Sequence, residues 1–491
     1  MESSTSIRDP PNLQGPPAPR PRRPPQHFPE PMLRSARHLV VGGLLAAIGL
    51  AALTDSGRAQ AVPRAASDDS ELILPQGGIV RRGQGQHVRV KDRHGQDVVA
   101  LLHAEVADRR LVILPDGRLV SVPTAEAPIT DEPFEPATKQ QIADELKAKG
   151  FGDFKVRSTA RYIYVYNTSE AFRTGTSRIL ETMYPAIFAY FKRLKLPVHH
   201  PETPLVAIMF RTEEEFQKYD PVPSSIAAYY NTITNQIVMY EQSDLVKVAP
   251  ELAIKQSIGV IAHEGIHQIL HNIGVQQRLS HWPMWLSEGL AEYFAPTEVG
   301  RRMRWKGVGR PHDLRMYELN RLMRASKRPP GVLVEEVVAA PRLSSGGYAA
   351  AWSLTHYLAT RQREKFHDYV SEIAQLGPLE PRERSAENDL KQLFTKHFGS
   401  DYADMETKLV EHLRSLPYVD PIANQTHYVV MIDTAKLRAA SVTTSPGGAK
   451  KWQEQTLTRL PPSERASSRF QILPFASKKL AESYARRFLG N

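Results

Sequence analysis

The run His263-Glu264-Gly265-Ile266-His267 combines residue types and a spacing that could bind a metal ion. Each residue of an α-helix advances about 100°, so His263 and His267 lie about 40° apart on one face and one turn along the axis. Both imidazoles can therefore bind one ion. Glu264 lies about 100° from His263, close to the open side of that ion, where a general base is needed. The spacing predicts Zn²⁺ as a cofactor and metal-assisted hydrolysis as the chemistry.

The residues around this motif predict the helix that such a site needs. Pro250 begins the helix, isoleucines recur at three- and four-residue spacing on both sides of the motif, and Gly274 ends it. A chance match is conceivable in a chain with 17 His among 491 residues. A chance match would more often lie in a polar or Gly/Pro-rich stretch, so the apolar helix favours a functional site. A buried histidine pair with an ion-paired Glu is the structural alternative.

A catalytic zinc usually has three protein ligands and a water, so a third ligand is expected near the two histidines. We favour Glu288, because it lies on a second short helical stretch with twenty residues between it and the motif. His271 and His281 are the alternatives. His271 continues the first helix but lies about 80° round from His263. His281 lies in a predicted loop.

A second carboxylate accompanies the candidate third ligand. Glu292 follows Glu288 by one helical turn and faces the same way, so it could orient a ligand histidine. A solvated helix charge is the alternative interpretation of Glu292. The chain contains no Cys, which excludes disulfides, thiol nucleophiles and thiolate zinc ligands, and leaves His and carboxylate side chains as the plausible zinc ligands.

With these residues in place, the sequence resembles the gluzincin metallopeptidases, which include aminopeptidase N-like and thermolysin-like enzymes and the peptidase-MA-like domains of bacteria. In the aminopeptidase branch the HExxH helix precedes a Trp-Leu-x-Glu-Gly-x-Ala-x-Tyr segment whose Glu binds zinc, and residues 285–293 match it. The metzincin pattern does not fit, because Leu270 and Ile273 stand where it needs Gly and His. The resemblance implies that Glu288 binds zinc and that Glu264 acts as general base in peptide hydrolysis.

The same branch carries a transition-state tyrosine in a helix of the form Tyr-x5-Leu-x3-Leu, and Tyr348, Leu354 and Leu358 fit that spacing. The resemblance implies that Tyr348 donates a hydrogen bond to the oxyanion. A core tyrosine and a donor role for His356 are the alternatives. The Gly-x-Met-Glu-Asn run with which those aminopeptidases hold a free substrate N-terminus is absent, so exopeptidase specificity is not supported.

Substrate-binding residues are not assigned by the motifs. In gluzincins an edge strand just before the HExxH helix holds the substrate backbone, and residues 236–240 occupy that place in the chain. The resemblance therefore implies that an extended peptide pairs with this strand. A strand with no ligand role is the alternative.

The N-terminal part of the chain is typical of an export signal. Residues 1–61 combine a Pro/Arg-rich extension, expected to be disordered, with an apolar run at 39–53 that fits a signal peptide over about 32–61. The apolar run is shorter than the roughly 20 residues that span a bilayer. We therefore expect cleavage after Ala61, no stable membrane span afterwards, and a secreted or periplasmic protein.

The remaining sequence predicts three folded parts separated by linkers. The last part begins with a strand and passes through a Ser/Pro/Gly loop before a second strand and a helix. The parts are a small β-barrel or sandwich at 71–123, a linker at 123–136, a gluzincin-like catalytic domain at 138–415 and a small α/β module at 421–491. The predicted fold class is α+β, with a zincin-like catalytic domain built from a small mixed sheet plus helices.

Charge and composition limit the partners. The net charge of +10 is spread along the chain without a dense basic stripe, so nucleic-acid binding is not indicated. Secretion without disulfides suits a bacterial periplasm or exterior, and basicity is compatible with an anionic cell envelope. Residues 421–491 are similar to SPOR-type peptidoglycan-binding domains, which implies envelope association.

The sequence as a whole predicts a secreted zinc peptidase that acts on a peptide or protein substrate. Two alternatives remain open at this stage. One is an envelope binding protein built on an inactive peptidase scaffold. The other is a zinc hydrolase of a non-peptide amide or ester.

Overall fold

The structure is a computed structural model that describes residues 40–41, 72, 79–224, 226–242, 250–299, 303–325, 328–380, 386–434 and 437–490. The predicted extension and signal peptide at 1–61 lie outside these residues, apart from strand β1 (Val40–Val41). The fold is α+β, as predicted, with several small sheets and a large helical region. Within the described ranges, no helix is both long and apolar enough to cross a membrane.

An antiparallel six-stranded sheet occupies the first folded part. Its strands are β2 (Val80–Arg82), β3 (His87–Lys91), β4 (Asp97–Val106), β5 (Arg109–Ile113), β6 (Leu119–Pro123) and β7 (Ile129–Thr130). The strand order is β6-β5-β4-β3-β7, and β2 pairs with β4. Ala100 and Leu102 of β4 lie in one apolar cluster and Ala104 lies in another, because the strand has a register shift between Leu102 and Ala104. We call residues 79–130 the β domain.

Two details of the β domain differ from the sequence prediction. The end strands β6 and β7 do not pair with each other in the described structure, so the part predicted as a barrel or sandwich is a single sheet. Strand β7 also falls in the predicted linker at 123–136, because Ile129 and Thr130 pair with Val88 and His87 of β3. A pair of residues is too short to show the alternation that reveals a strand in sequence.

A second six-stranded sheet lies under the helix that carries the HExxH motif. Besides β1 it contains β8 (Lys155–Ser158), β9 (Tyr162–Tyr166), β10 (Leu205–Thr212), β11 (Ala228–Asn231) and β12 (Gln236–Gln242). The order is β1-β11-β12-β10-β9-β8, with β9, β10 and β12 mutually parallel and β11 antiparallel to β12. Strands β11 and β12 form an antiparallel hairpin.

The prediction that residues 236–240 form the edge strand is wrong. Strand β12 lies inside the sheet between β11 and β10, and β11 is the strand nearer the edge, with Val40–Val41 as its outer partner. The reason is topological. The chain enters the hairpin on its outer strand and returns through an inner strand that pairs in parallel with β10.

Helices cover both faces of this sheet. The helices α1 (Lys139–Leu146) and α3 (Glu213–Tyr219) pack on one face, where Ile163 and Val165 of β9 point. The helix α2 (Glu170–Arg193) and the motif helix α4 (Pro250–Asn272) pack on the other face, where the tyrosines of β9 point. This alternation fixes the motif helix against the sheet.

The rest of the large apolar core is mainly helical, as the sequence predicts. The elements are α5 (Met284–Phe294), β13 (Thr297–Val299), β14 (Met303–Trp305), α6 (Asp313–Ala325), α7 (Val332–Ala339), α8 (Ser345–Arg361), α9 (Arg363–Ala374), α10 (Ala386–Phe398) and α11 (Tyr402–Arg414). Strands β13 and β14 form a short hairpin between α5 and α6.

The last part is a three-stranded antiparallel sheet with helices. Its elements are β15 (His427–Asp433), β16 (Arg438–Thr443), α12 (Pro446–Arg459), α13 (Pro462–Arg465), β17 (Arg469–Phe475) and α14 (Lys478–Leu489), with the order β16-β15-β17. The segment predicted as a Ser/Pro/Gly loop therefore contains β16 and α12. The side chain of Ser445 caps α12 by accepting from the Gly448 N–H, and Pro446 fits the first turn.

Candidate metal centre

The motif helix α4 packs closely on α2. A Cβ atom at Gly265 would lie 2.3 Å from Cδ2 of Leu180, so a larger residue there would displace the end of the Leu180 side chain where the two helices meet. The two motif histidines are buried, with His263 3% and His267 0% exposed. The sequence thus places both imidazoles in the core, where polar groups need partners.

The three predicted ligands converge. Nε2 of His263 lies 3.0 Å from Oε2 of Glu288 and 3.1 Å from Nε2 of His267, and Nε2 of His267 lies 3.5 Å from the same carboxylate oxygen. Zinc–ligand bonds of about 2.0–2.1 Å in a tetrahedron separate the ligand atoms by roughly 3.3 Å. The three atoms therefore fit around one metal ion of this size. Among the described residues, His263, His267 and Glu288 form the group of side chains that could hold a metal ion.

Glu288 reaches the histidines because α5 approaches α8 unusually closely. A Cβ at Gly289 would lie 2.1 Å from Oγ1 of Thr355 and 2.8 Å from the carbonyl oxygen of Ala351. The Gly that follows the ligand Glu in the sequence therefore has a packing role. It allows α5 to pack against α8 so that Glu288 faces the motif helix α4. Glu288 itself is 1% exposed.

Glu292 lies where a carboxylate that orients a ligand histidine is expected. Its Oε1 lies 2.9 Å from Nδ1 of His263, and its Oε2 lies 3.2 Å from Nε2 of His312. A partner on Nδ1 leaves Nε2 of His263 as the nitrogen that faces the other ligands, and this arrangement is common in metal sites. Glu292 is 2% exposed, so the alternative of a solvated helix charge is wrong.

A buried arginine completes this carboxylate's surroundings. Nη2 of Arg315 donates to Oε1 of Glu292 at 2.5 Å, and Nη1 donates to Oε2 of Glu318 at 2.7 Å. Arg315 is 2% exposed, so its charge and that of Glu292 are both removed from water. An uncompensated charge at either position would be costly, and the two side chains therefore depend on each other.

The buried charges shift the pKa values of the site. Burial alone would raise the pKa of Glu288, but His267 and His263 lower it to about 2. Burial alone would lower the pKa of His263, but Glu292 and Glu288 raise it to about 10. Burial would also raise the pKa of Glu292, while Arg315 and His263 hold it well below its ordinary value. Both carboxylates are therefore ionised at neutral pH, and His263 carries a proton that a bound cation would have to displace.

Glu264 lies on the same helix but points to the sheet. Its Oε2 accepts a hydrogen bond from the backbone N–H of Tyr230 at 2.8 Å, and the side chain is fully buried. Tyr230 belongs to β11, so the candidate general base is held by the strand nearer the sheet edge. This link between the strand and the base had no signal in the sequence.

Tyr348 lies in the first turn of α8, close to the ligand cluster. Its ring centre is 6.2 Å from that of His263 and 5.4 Å from Cζ of Arg315. The rival donor His356 has other partners. Nδ1 of His356 lies 2.9 Å from Nε2 of His412, and Nε2 lies 3.2 Å from the carbonyl oxygen of Gly309. The geometry therefore favours Tyr348 over His356 as the group beside the cluster.

The two alternative third ligands do not join the cluster. His271 donates from Nδ1 to the carbonyl oxygen of Gln276 at 3.0 Å and stacks on Tyr230, with ring centres 5.5 Å apart. His281 is exposed. Neither belongs to the group of side chains that could hold a metal.

Sequence reasoning missed Arg315 and His312. His312 lies just before α6 and Arg315 lies within it. The sequence of this helix is mostly polar and gives no sign of a buried charge. The one available clue was the carboxylate of Glu292 itself, because a buried carboxylate requires a cationic partner. Its partner lies 23 positions away and is not marked by any motif.

One segment of the chain matches the model of a described protein family. Residues 257–380 match DUF1570, a family described as proteins of unknown function. The matched segment contains the motif histidines, Glu288, Glu292 and Tyr348. No curated protein matches the chain significantly.

Proposed function

We propose that this protein is a zinc-dependent peptidase of the gluzincin type. The observation that carries the proposal is the fit of the three ligand atoms of His263, His267 and Glu288 to a tetrahedral zinc site. When bound there, zinc would lower the pKa of a coordinated water and polarise the substrate carbonyl. Nitrogen and carboxylate donors are ligands that zinc accepts, and the chain has no Cys to supply another kind of site.

The chain's own residues supply the proton transfers. Glu264 takes a proton from the attacking water and returns it to the leaving amine. The Tyr230 N–H holds one oxygen of the Glu264 carboxylate, so the carboxylate has a fixed orientation before substrate binds. Tyr348 donates a hydrogen bond to the oxyanion. Glu292 and Arg315 keep the His263 ring in the orientation that binds metal.

The strand β11 supports a peptide as the substrate class. It precedes the motif helix, lies next to the sheet edge and contacts Glu264 through Tyr230. With the proposed cleavage after Ala61, Val40–Val41 no longer pair with β11, and an extended peptide that paired there in their place would lie along the carboxylate. We therefore transfer the substrate-binding role implied for residues 236–240 to residues 228–231.

The experiment compares metal content and hydrolysis in four proteins. Wild type should bind one zinc per chain and cleave an unstructured protein in a chelator-sensitive way. Glu264→Gln should keep its zinc and lose cleavage by about 10³-fold or more, whereas Glu288→Ala should lose zinc and cleavage together. His281→Gln removes the exposed histidine that was the other alternative ligand and that does not join the cluster, and it should retain both properties.

The results would also separate the alternatives. Turnover retained by Glu264→Gln would refute the mechanism. A zinc-loaded wild type that cleaves neither an unstructured protein nor peptidoglycan stem peptides would indicate an inactive scaffold that binds envelope partners. Turnover of esters or non-peptide amides alone would indicate the other hydrolase class.

We also propose that the protein is secreted or periplasmic and associates with the cell envelope. The support is the apolar run at 39–53 with basic residues before it and small residues after it. Fractionation of cells that express the full chain tests this proposal. A cytosolic protein that retains residues 32–61 would contradict it.

A further inference from the structure

The β domain holds the segment that follows the motif helix. Arg278 lies in that segment and is 4% exposed. Its Nη1 donates to the carbonyl oxygen of Gly117 at 2.7 Å, and its own carbonyl oxygen accepts from Nε2 of His103 at 2.8 Å. Gly117 and His103 both belong to the β domain. One residue therefore joins the β domain to the end of α4 at two points.

The same arginine lies beside strand β11. Gly117, whose carbonyl oxygen accepts from Arg278, lies against the hairpin, because a Cβ atom there would be 3.3 Å from Nδ2 of Asn235 in the β11–β12 turn. Burial raises the pKa of Tyr230, and the guanidinium of Arg278 opposes this rise. The backbone N–H of Tyr230 is the donor that binds Oε2 of Glu264. A short path thus runs from the β domain through Arg278 and Tyr230 to the proposed general base.

The β11–β12 turn has a second link to the β domain. The backbone N–H of Leu119 donates to the carbonyl oxygen of Ile233 at 2.8 Å. Apolar packing surrounds this bond, because Leu119, Leu279 and Ile233 share one cluster with Leu111 and Leu379. The β domain therefore covers the turn that joins the two strands of the hairpin.

The other side of the turn is bound to the motif helix. Asn235 accepts at Oδ1 from the Tyr230 hydroxyl at 2.9 Å and from Nδ2 of Asn272 at 2.7 Å. The Asn235 carbonyl oxygen accepts from Nε2 of Gln268 at 2.7 Å. These side chains are buried, so each bond is made in the absence of competing water. The hairpin lies between α4 on one side and the β domain on the other.

We propose that the β domain is part of the catalytic machinery and that Arg278 is a positioning residue for Glu264. The β domain fixes the hairpin through Arg278, and the hairpin fixes the Glu264 carboxylate through the Tyr230 N–H. In the described part of the chain, no hydrogen bond or ion pair joins Arg278 to His263, His267 or Glu288. The inference rests on the proposed function, because it takes Glu264 to be the general base of the reaction. A displacement of about 1 Å in a reacting group can lower a rate by about 10²-fold.

The test compares two arginines that both join the β domain to the rest of the protein. Arg278→Met removes the link to Gly117 near the hairpin. Arg82→Met is the control, because Arg82 bonds Glu380 and the Gln375 carbonyl oxygen away from the hairpin. Arg278→Met should lower kcat by about 10- to 100-fold with KM and zinc content unchanged. Arg82→Met should leave kcat within about three-fold of wild type.

Hydrogen exchange supplies a readout that does not depend on activity. Peptides that cover residues 228–242 should exchange at least about ten-fold faster in Arg278→Met than in wild type, and at the wild-type rate in Arg82→Met. If Arg278→Met does not fold, Arg278→Lys replaces it, since Lys keeps the charge but loses the planar guanidinium. Wild-type exchange in the hairpin of the Arg278 variant, or an equal effect of both arginines, would overturn the inference. Absence of hydrolysis in the wild type would overturn the proposed function, and the exchange comparison would still decide the linkage of the hairpin to the β domain.

Discussion

Replacing Glu292 with Gln tests the role assigned to the carboxylate beside His263. Gln has nearly the same shape, so an oxygen can still accept from Nδ1 of His263, but the negative charge is lost. Outer partners of a ligating histidine contribute about 10- to 100-fold to metal affinity, or about 1.4–2.7 kcal/mol. Glu292 and Arg315 are both 2% exposed, so water screens the lost charge very little. We therefore expect Glu292→Gln to weaken zinc binding by about 100-fold, the upper end of this range.

Competition with a chromophoric chelator at neutral pH measures this change. Glu318→Gln is the matched control, because Glu318 is the other carboxylate bound by Arg315. In the part of the chain that the structure describes, no hydrogen bond or ion pair joins Glu318 to His263 or His267. The control should change zinc affinity by less than about three-fold. Unaltered affinity in Glu292→Gln, or an equal loss in both variants, would refute the orientation argument.

Three further predictions concern other parts of the site. Gly289→Ala should lower the free energy of unfolding by about 1–3 kcal/mol and weaken zinc binding. The new Cβ would meet the Ala351 carbonyl and displace the helix that carries Glu288. An unchanged melting temperature and an unchanged zinc affinity in chelator titrations would contradict this. Tyr348→Phe should lower kcat by about 10²-fold without altering zinc affinity, and a wild-type kcat would remove Tyr348 from the mechanism. Burial and the neighbouring His412 lower the pKa of His356 from 6.5 to about 4, so the unfolded chain takes up a proton that the folded chain does not as the pH falls from 6.5 toward 4. The contribution of His356 to the free energy of unfolding should therefore fall by about 2 kcal/mol between pH 7 and pH 5. Urea titrations of His356→Gln should show a decrease between these pH values that is smaller by about that amount.

The side chains that could hold a metal ion could be placed from sequence because their signals are local. The spacing of His263 and His267 needs only one helix, and the apolar periodicity around them predicts that helix. Glu288 required a second pattern, the Glu-Gly-x-Ala-x-Tyr segment of α5. Its Gly proves to be the residue that brings α5 against α8, so the pattern reflects packing as well as ligation.

The groups that sequence reasoning missed act over long sequence separations. Arg315 reaches Glu292 from 23 positions away, and Arg278 reaches Gly117 from 161 positions away. Neither side chain lies in a pattern whose period predicts burial. The strand next to the sheet edge was misassigned for the same reason. Strand order depends on which neighbour pairs with β10, and local alternation in residues 236–240 carries no information about that choice.

The position of the β domain in the chain has a consequence for biosynthesis. Gly117 leaves the ribosome, and would leave an export channel, before Arg278, which lies 161 positions later in the chain. The β domain, whose sheet pairs strands that are near neighbours in sequence, has time to fold during that interval. The nascent hairpin and the end of the motif helix then emerge next to a surface that already exists. A chain that lacked the β domain would have to form its proton-transfer geometry without that template, and it would expose the apolar side chains of Leu279 and Ile233 while doing so.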